Sequence, residues 1–347
     1  MSRPQLPRDC VPPDPRRELR VRSADGTWLH AEVHGPEDAP TVVLAHGWTC
    51  STAFWAPVLH RLAADHRLVA YDQRGHGRSD APASPAGYGT GALADDLEAV
   101  VEATVAHGSR AVLAGHSMGG MTVMAAADRS AVRDRTAAVL LASTGSGSLL
   151  AELLVLPFAG RAPRARFAAH RALLASRLPL GPVTGLSRAV LKYAVMGPAA
   201  PADRVEACAR IVHACPRRVR AAWAQVLGTL DLHAEAGRLD APTAVLVGAA
   251  DRLTPPVLAH RLHAVLPRPE RLTELPGTGH MSPVERPDAV ADEIRRLVAD
   301  HLHRPAAPQG TAAPQDTAVP QDTAEQPVPT EQPVPAAAPH QQRSATA

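Results

Sequence analysis

One serine in this chain lies in a pattern that can turn its hydroxyl into a nucleophile. Ser117 is the centre of a G-x-S-x-G pentapeptide, with an apolar run at 111–114 before it and good helix formers at 118–129 after it. This order predicts a strand, a sharp turn and a helix, with the hydroxyl projecting above a sheet. Only small neighbours permit so strained a turn, and Gly115 and Gly119 meet that requirement. The alternative is a glycine-rich turn with an idle serine, and the rest of the chain must decide.

A serine needs a base, and a third group that orients the base, before it can attack a carbonyl carbon. Two later residues have the types for these roles. Asp251 follows the apolar run TAVLVGA, and His280 follows the last strand-like segment. Both are therefore predicted on loops at the carboxyl ends of strands, at the same sheet edge as Ser117. The chain order serine, aspartate, histidine is the one expected for a strand-turn-helix nucleophile.

Hydrophobic periodicity predicts the elements that position these residues. Residues 18–23 and 28–34 alternate with a two-residue period around an Asp-Gly pair, which predicts an antiparallel hairpin. The next runs are mostly short and apolar, which is typical of strands buried on both faces. They lie at 41–45, 68–71, 111–114, 138–142, 243–247 and 271–275. Because helical segments separate them, we expect an α/β fold with a mostly parallel sheet.

Composition and periodicity divide the chain into four parts. Residues 1–17 are rich in proline and charge, so we expect a poorly ordered lead-in. The sheet and its helices are predicted at 18–144 and 239–304. Between them, 145–238 is largely helical, which predicts a cap or lid over the strand ends. Residues 305–347 are dominated by proline, alanine, glutamine and threonine, which predicts a disordered tail, with a docking or spacer segment as the alternative.

Five motifs together resemble those of α/β-hydrolase-fold enzymes. They are HGW at 46–48, YDQRGHGRS at 71–79, GHSMGG at 115–120, GAADRLTP at 248–255 and GTGH at 277–280. Five elements in the family's order are far more specific than one pentapeptide. The resemblance covers roughly residues 18–303 and implies the α/β-hydrolase fold. It also implies that Ser117 is the nucleophile, that His280 is the general base and then acid, and that Asp251 orients His280.

By the same resemblance, the oxyanion hole consists of the backbone N–H groups of Trp48 and Met118. Three histidines within the motifs, His46, His76 and His116, come before the last strand and so do not fit the triad order. We expect them to hold loops through hydrogen bonds. The sequence contains no H-E-x-x-H spacing, no P-loop and no dinucleotide-binding motif, so neither a metal nor a cofactor is expected.

The predicted cap has two features that bear on the substrate. Residues 151–222 contain eleven arginines and Lys192 against three acidic residues, a local balance of +9. We interpret these cations as solvated helix faces, and the alternative is an attraction for anionic lipid or acidic substrates. Apolar residues at 149–156 form with Phe158 a candidate stripe that faces the catalytic edge, with Leu153 and Phe158 as candidate substrate-binding residues. This stripe favours a hydrophobic acyl or alkyl group in the substrate.

Overall composition limits the remaining possibilities. The 347 residues are 45% hydrophobic, and the net charge of +2 gives no global case for binding nucleic acid or a membrane. Four cysteines without C-x-x-C spacing do not suggest zinc. The N-terminus lacks the apolar segment of a secretory signal, and no apolar run approaches the roughly 18 residues of a membrane span. We therefore expect a cytoplasmic protein.

These observations favour a serine hydrolase that cleaves a carboxylic ester, or a related acyl bond, of a small and rather apolar molecule. Two other reactions stay open on the same residues. One is hydrolysis of a carbon–carbon bond in a diketone-like substrate, and the other is cofactor-free perhydrolase chemistry. A non-enzymatic alternative is a ligand receptor that keeps the fold and the pocket, although the complete set of triad residues argues against it.

Overall fold

The computed structural model of the protein describes residues 6–156, 163–174, 176–178 and 180–302. Two sequence predictions lie outside the described residues, namely the tail at 305–347 and the candidate substrate-binding residue Phe158. The described residues form a central sheet with helices on both of its faces.

A mostly parallel sheet of eight strands forms the centre of the structure. Its strands are β1 Arg17–Arg22, β2 Trp28–His34, β3 Thr41–Ala45, β4 Arg67–Tyr71, β5 Ala111–His116, β6 Thr136–Ala142, β7 Thr243–Gly248 and β8 Pro269–Leu275. Their order across the sheet is β1-β2-β4-β3-β5-β6-β7-β8. β2 pairs antiparallel with both β1 and β4, and all other neighbours are parallel. The predicted α/β fold with a mostly parallel sheet is therefore confirmed.

Helices cover both faces of this sheet. They are α1 Ala56–Leu62, α2 Thr90–Thr104, α3 Met118–Ala125, α4 Ser130–Arg135, α5 Leu149–Glu152, α6 Pro163–Leu174, α7 Gly185–Val195, α8 Ala202–Ala214, α9 Arg217–Thr229, α10 His233–Ala236, α11 Pro256–Val265, α12 Ser282–Glu285 and α13 Pro287–His301. Because side chains alternate along a strand, Val42 belongs to the core cluster that includes residues of α1 and α13, and Val43 belongs to the cluster that includes residues of α2 and α11. Among the described helices, none combines the length and apolar character needed to cross a bilayer.

The segment between β6 and β7, residues 145–238, is called the helical insertion below. Its described residues contribute α5 to α10 and no strand of the sheet. An isolated antiparallel bridge joins Gly147 to Asp231. Beside it, the Leu232 N–H donates to the Ser146 carbonyl at 2.6 Å. These contacts join the two ends of the insertion, so the chain leaves and re-enters the region of the sheet near one point.

The N-terminal segment differs from the poorly ordered lead-in expected at residues 1–17. Within its described residues, Cys10 is buried in the core. Asp9 forms ion pairs with Arg61 of α1 at 3.1 Å and with Arg204 of α8 at 2.8 Å. A segment rich in proline and charge can pack when distant elements supply fixed partners for its polar groups. Such partners are invisible in the local composition from which disorder was expected.

Candidate active site

Ser117 lies on a sharp turn between β5 and α3. Its backbone has φ +52° and ψ −117°, a conformation that residues with a side chain rarely adopt. The Ser117 N–H donates to the Ala142 carbonyl at the end of β6, at 2.9 Å. A Cβ at Gly115 would lie 2.5 Å from the Gly119 backbone, and a Cβ at Gly119 would lie 2.0 Å from the Ala45 carbonyl oxygen. Close backbone approach therefore requires both glycines, as the sequence predicts.

His280 connects Ser117 to Asp251 through two hydrogen bonds. The His280 Nε2 is 3.0 Å from the Ser117 Oγ, and the His280 Nδ1 is 2.8 Å from the Asp251 Oδ2. All three side chains are buried. Because an ionised carboxylate only accepts hydrogen bonds, Nδ1 carries the proton and Nε2 can accept from the serine hydroxyl. The structure thus brings together the three residues that are predicted as catalytic from the sequence.

Three donors besides His280 hold the Asp251 carboxylate in place. Its Oδ1 accepts from the N–H groups of Leu253 at 2.8 Å and Thr254 at 2.9 Å. Its Oδ2 accepts from the Thr254 hydroxyl at 2.8 Å. These bonds fix the direction of the carboxylate toward the imidazole. Sequence reasoning misses Thr254. The pattern that could have indicated its role is a threonine shortly after an aspartate, which is typical of a turn closed by the aspartate side chain.

The loop after β3 brings a further backbone N–H group to the serine. Gly47 packs so closely that a Cβ there would lie 3.1 Å from the Ser117 Cβ. Trp48 follows it, and the Trp48 indole N–H donates to the Arg220 carbonyl of α9 at 3.0 Å. Within the described part of the chain, the backbone N–H groups of Trp48 and Met118 donate to no protein acceptor. Both N–H groups are therefore available as donors, as the predicted oxyanion hole needs.

Ser117 and His280 line a cavity of about 610 Å³ whose walls come largely from the helical insertion. The lining is predominantly apolar. Leu153, which was predicted to bind substrate, is buried and lines this cavity. Leu154, its neighbour in the predicted stripe, is instead 49% exposed and is not among the described lining residues. A cavity of this size accommodates a drug-sized apolar group beside the serine.

Comparison with known proteins decides the family. A family model described as the alpha/beta hydrolase family matches residues 42–293. The chain belongs to this family. A protein of Variovorax paradoxus named as the carbamate hydrolase RutD is 34% identical over 285 residues, which cover 81% of this chain and 98% of that protein.

Two further similarities support the same family. The bifunctional esterase/perhydrolase DCH of Acinetobacter calcoaceticus is 42% identical over 101 residues, which cover 29% of this chain and 35% of that protein. The crystal structure of the esterase RhEst1 from Rhodococcus sp. ECU1013 is similar, with 27% identity and a TM-score of 0.61. The similarity covers 82% of this chain and 99% of RhEst1. The protein is therefore an enzyme of the hydrolase class.

Two buried histidines hold the loops that flank the site of this hydrolase. His46 donates from Nδ1 to the Gly47 carbonyl at 2.8 Å and accepts at Nε2 from the Gln73 N–H at 3.0 Å. His76 accepts at Nε2 from the Thr49 N–H at 3.2 Å. Burial lowers the pKa of His46 to about 4 and the pKa of His76 to about 3. Both rings are therefore neutral near pH 7 and act as loop anchors.

His116, which precedes the nucleophile in the sequence, helps to hold His280 in place through a hydrogen bond to the His280 backbone. The His116 Nε2–H donates to the His280 carbonyl at 2.8 Å, and the two ring centroids are 4.9 Å apart. Burial lowers the pKa of His116 well below its usual range. A neutral ring committed to a backbone carbonyl has a structural role, which agrees with the interpretation of the sequence.

Glu285 joins the loop that carries His280 to the helical insertion, and sequence reasoning misses it. Its carboxylate accepts from the N–H groups of Gly197 at 2.7 Å and Gly279 at 3.1 Å. Close by, the His280 N–H donates to the Val195 carbonyl at 2.9 Å. Burial raises the pKa of Glu285, and the backbone donors act in the opposite direction. No local pattern could reveal contacts between segments so far apart in sequence.

One cluster among the described residues has side chains of metal-ligand type. Glu18, His30 and Glu32 bring their ligand atoms within 4.8 Å of one another. Arg78 donates to both carboxylates, at 2.8 Å to Glu18 and at short distance to Glu32. Because a guanidinium already supplies the positive charge, the cluster fits an ion-pair network between β1, β2 and the loop after β4. None of these four residues is among those that line the cavity.

Proposed function

We propose that this hydrolase cleaves a carboxylic ester, or a related acyl bond, of a small and rather apolar substrate through an acyl-enzyme on Ser117. The observation that carries the proposal is the continuous hydrogen-bond chain from Asp251 through His280 to Ser117 at the wall of an apolar cavity. Such a chain lets a neutral hydroxyl lose its proton as it attacks.

In the proposed first half-reaction, the Ser117 oxygen attacks the ester carbonyl while His280 takes the hydroxyl proton. Asp251 stabilises the resulting imidazolium without itself becoming protonated. The N–H groups of Trp48 and Met118 donate to the oxyanion, and each donor of this kind contributes on the order of 3 kcal/mol. The ester C–O bond then breaks, His280 gives its proton to the departing alcohol, and the acyl group stays on Ser117.

In the second half-reaction, water enters the position that the alcohol has left. His280 removes a proton from this water as it attacks the acyl carbonyl, so the same oxyanion donors are used again. Collapse of the second tetrahedral intermediate releases the carboxylic acid and returns the proton to Ser117. Each residue of the relay thus has a defined task in both halves.

The cavity lining and the similar proteins both support the proposed substrate class. Apolar walls contributed by residues such as Leu153 favour an acyl or alkoxy group that leaves water on binding. The names of DCH and RhEst1 include esterase activity. The name of DCH also includes perhydrolase activity, and the name of RutD refers to carbamates. Peracid formation and carbamate hydrolysis are therefore the reactions to measure beside ester hydrolysis.

Covalent labelling tests whether Ser117 is an activated nucleophile. A fluorophosphonate should label the wild-type protein once, and peptide mass spectrometry should locate the label on Ser117. The Ser117→Ala variant should not be labelled, whereas Ser130→Ala, which removes an exposed serine at the start of α4, should be labelled like wild type. Labelling of Ser117→Ala at an equal rate would contradict the proposal.

A substrate panel then separates the reaction classes. We expect each p-nitrophenyl ester in a series of increasing acyl length to be cleaved with a higher kcat/KM than the p-nitrophenyl carbamate of the same chain length. The reason is that an apolar lining offers few partners for the carbamate N–H. Peracid formation from a short carboxylic acid and hydrogen peroxide should be slower than ester hydrolysis. A carbamate or peracid preference would replace the ester assignment while leaving the role of Ser117 unchanged.

A further inference from the structure

Exposed apolar side chains are concentrated in one part of the described chain. Among the residues that the structure describes, seven of the ten exposed large apolar side chains lie between residues 154 and 193, within the helical insertion. Leu178 and Leu186 are the most exposed of them, at 74% and 76%. Single exposed apolar residues are ordinary on a protein surface, but such a concentration indicates a binding surface.

Four of these exposed residues also line the cavity that contains Ser117. They are Leu178, Leu180, Leu186 and Val190, and we call them the mouth residues. A side chain that both faces solvent and lines a cavity marks the place where the cavity opens. Arg220 holds one side of this opening, because its guanidinium donates to the carbonyls of Ser176 and Leu178. The route to the nucleophile is therefore surrounded by apolar groups.

The sequence around the mouth residues is entirely free of acidic side chains. Residues 153–202 contain six arginines and one lysine but no aspartate or glutamate. Arg164, Arg171 and Arg177 are exposed and form no ion pair within the described part of the chain. Because residues 151–222 have a formal charge of +9 in a chain of +2, the rest of the protein is net acidic. Residues 151–222 are therefore the cationic part of the sequence.

We propose that the mouth residues dock on an anionic lipid bilayer, so that an apolar substrate passes from the bilayer into the cavity without crossing water. This inference rests on the proposed function, because it assigns the source of an apolar ester. Apolar side chains that enter the interface and cations that attract anionic headgroups are the two components of peripheral membrane binding. Here both components lie on the same segment as the cavity opening.

A lipid surface fits these features better than a second copy of this chain. A second copy of the chain would bring one cationic surface against another, which repels at ordinary ionic strength. A bilayer with anionic headgroups complements the arginines and also accepts the exposed leucines. It can in addition dissolve the apolar substrate that the cavity is suited to bind.

Vesicle co-sedimentation of the full-length Ser117→Ala protein tests the docking surface separately from catalysis. The probes are phosphatidylcholine vesicles with and without an equal share of phosphatidylglycerol. We expect binding to the anionic vesicles that weakens as salt is raised, and little binding to the neutral ones. Equal binding to both kinds of vesicle, or binding to neither, would overturn the proposal.

Variants of the exposed residues assign the surface. Adding Leu186→Ser and Val190→Ser should weaken binding to anionic vesicles by about tenfold or more, since two inserting side chains are removed. Arg171→Gln with Arg177→Gln should weaken it severalfold at low salt and less at high salt. These residues are exposed, so the variants should keep the melting temperature of the parent protein.

The matched control is Trp28→Ser on β2. Trp28 is an exposed aromatic residue with the guanidinium of Arg20 4.8 Å from its ring centroid, so it combines an apolar and a cationic side chain outside the helical insertion. We expect Trp28→Ser to bind vesicles like the parent protein. An equal loss of vesicle binding in Trp28→Ser, or unchanged vesicle binding in the mouth variants, would overturn the proposal.

The outcome is distinguishable from failure of the proposed function. Fluorophosphonate labelling of the wild-type protein without vesicles reports on Ser117 alone, and vesicle binding of Ser117→Ala reports on the surface alone. Labelling without vesicle binding would refute the docking surface and leave the ester hydrolase. Vesicle binding without labelling would refute the nucleophile and leave the surface.

Discussion

The carboxyl ends of the strands, which carry Ser117, Asp251 and His280 and are called the strand edge below, fix their side chains more firmly than the helical insertion does. At the strand edge, Asp251 accepts from three donors besides His280, and the Ser117 turn is fixed to β6 through its own N–H. In the insertion, Leu178 and Leu186 are mostly exposed. Bond making needs atoms that are fixed to a fraction of an ångström, whereas apolar contact tolerates variation. Changes at the strand edge should therefore slow every substrate, and changes in the insertion should reorder substrates.

The largest expected effect is at the nucleophile. Ser117→Ala should lower kcat by at least about a thousandfold on every ester, because removal of a triad member usually costs several orders of magnitude. His280→Ala should lose a similar amount, and the double variant should be little worse than either. Initial rates with unchanged circular dichroism provide the measurement. Residual activity of Ser117→Ala above a thousandth of wild type would contradict the assignment of the bond-making step to the strand edge.

The next effect concerns the stability of the strand-edge loops at acidic pH. His46 has a folded-state pKa of about 4 against an ordinary value of 6.5, so the unfolded chain binds its proton more readily. Above about pH 6.5, His46 should make no contribution to the pH dependence of the free energy of unfolding. Below that pH, protonation of His46 in the unfolded chain should make the free energy of unfolding fall as pH decreases toward 4. The loss amounts to on the order of 3 kcal/mol, at about 1.4 kcal/mol for each pKa unit.

Thermal denaturation between pH 8 and pH 4 measures this loss. His46→Asn removes the titrating ring, so the melting temperature of the variant should depend less steeply on pH within this window, even if the variant is less stable throughout. Parallel curves for wild type and variant would show that His46 does not contribute to the acid sensitivity.

A smaller effect is expected at Thr254, whose hydroxyl donates to Asp251. Thr254→Val keeps the shape and removes this bond, so the Asp251 carboxylate holds His280 less firmly. A hydrogen bond to a charged group is worth about 2 kcal/mol, which corresponds to roughly a thirtyfold lower kcat. KM should change little, because the Thr254 hydroxyl acts by holding Asp251 and the His280 ring, which lie 2.8 Å and 3.1 Å from it. Equal proportional losses for short and long esters would place it with the strand edge, and a loss confined to long esters would place it with the insertion.

The smallest effect is expected in the insertion at Leu153. Leu153→Ala should raise KM for long acyl esters by about tenfold through lost apolar contact, and should leave the rate on an acetyl ester close to wild type. Leu154→Ala is the matched control, because Leu154 is exposed and is not among the described lining residues. The informative quantity is the ratio of kcat/KM between long and short esters. An unchanged ratio for Leu153→Ala would remove it from the binding surface.

How far the sequence determines this structure depends on the range of the interactions involved. β3 was predicted at residues 41–45 and is observed as Thr41–Ala45, because burial on both faces leaves an unbroken apolar run. Ser117, Asp251 and His280 were predictable because each follows a strand-like run at the sheet edge. A pattern within a few residues was sufficient in both cases.

Apart from the local contact of Thr254 with Asp251, the contacts that sequence reasoning missed depend on distant partners. Glu285 accepts from Gly197 across the boundary of the helical insertion, and Asp9 pairs with Arg61 and Arg204 although its segment was expected to be poorly ordered. Leu154 lies beyond the end of the short helix α5, and its N–H donates to the distant Arg252 carbonyl at 2.8 Å. Only the assembled tertiary structure specifies such features.

The most direct test of the account is the mass of the protein during turnover. Wild-type protein mixed with a p-nitrophenyl ester and quenched in acid within the first turnovers should carry one acyl group, which peptide mapping should locate on Ser117. The same experiment with Ser117→Ala should give no adduct and no early burst of p-nitrophenol. An acyl group on another residue, or ester hydrolysis by Ser117→Ala at the wild-type rate, would contradict the assignment of Ser117 as the nucleophile.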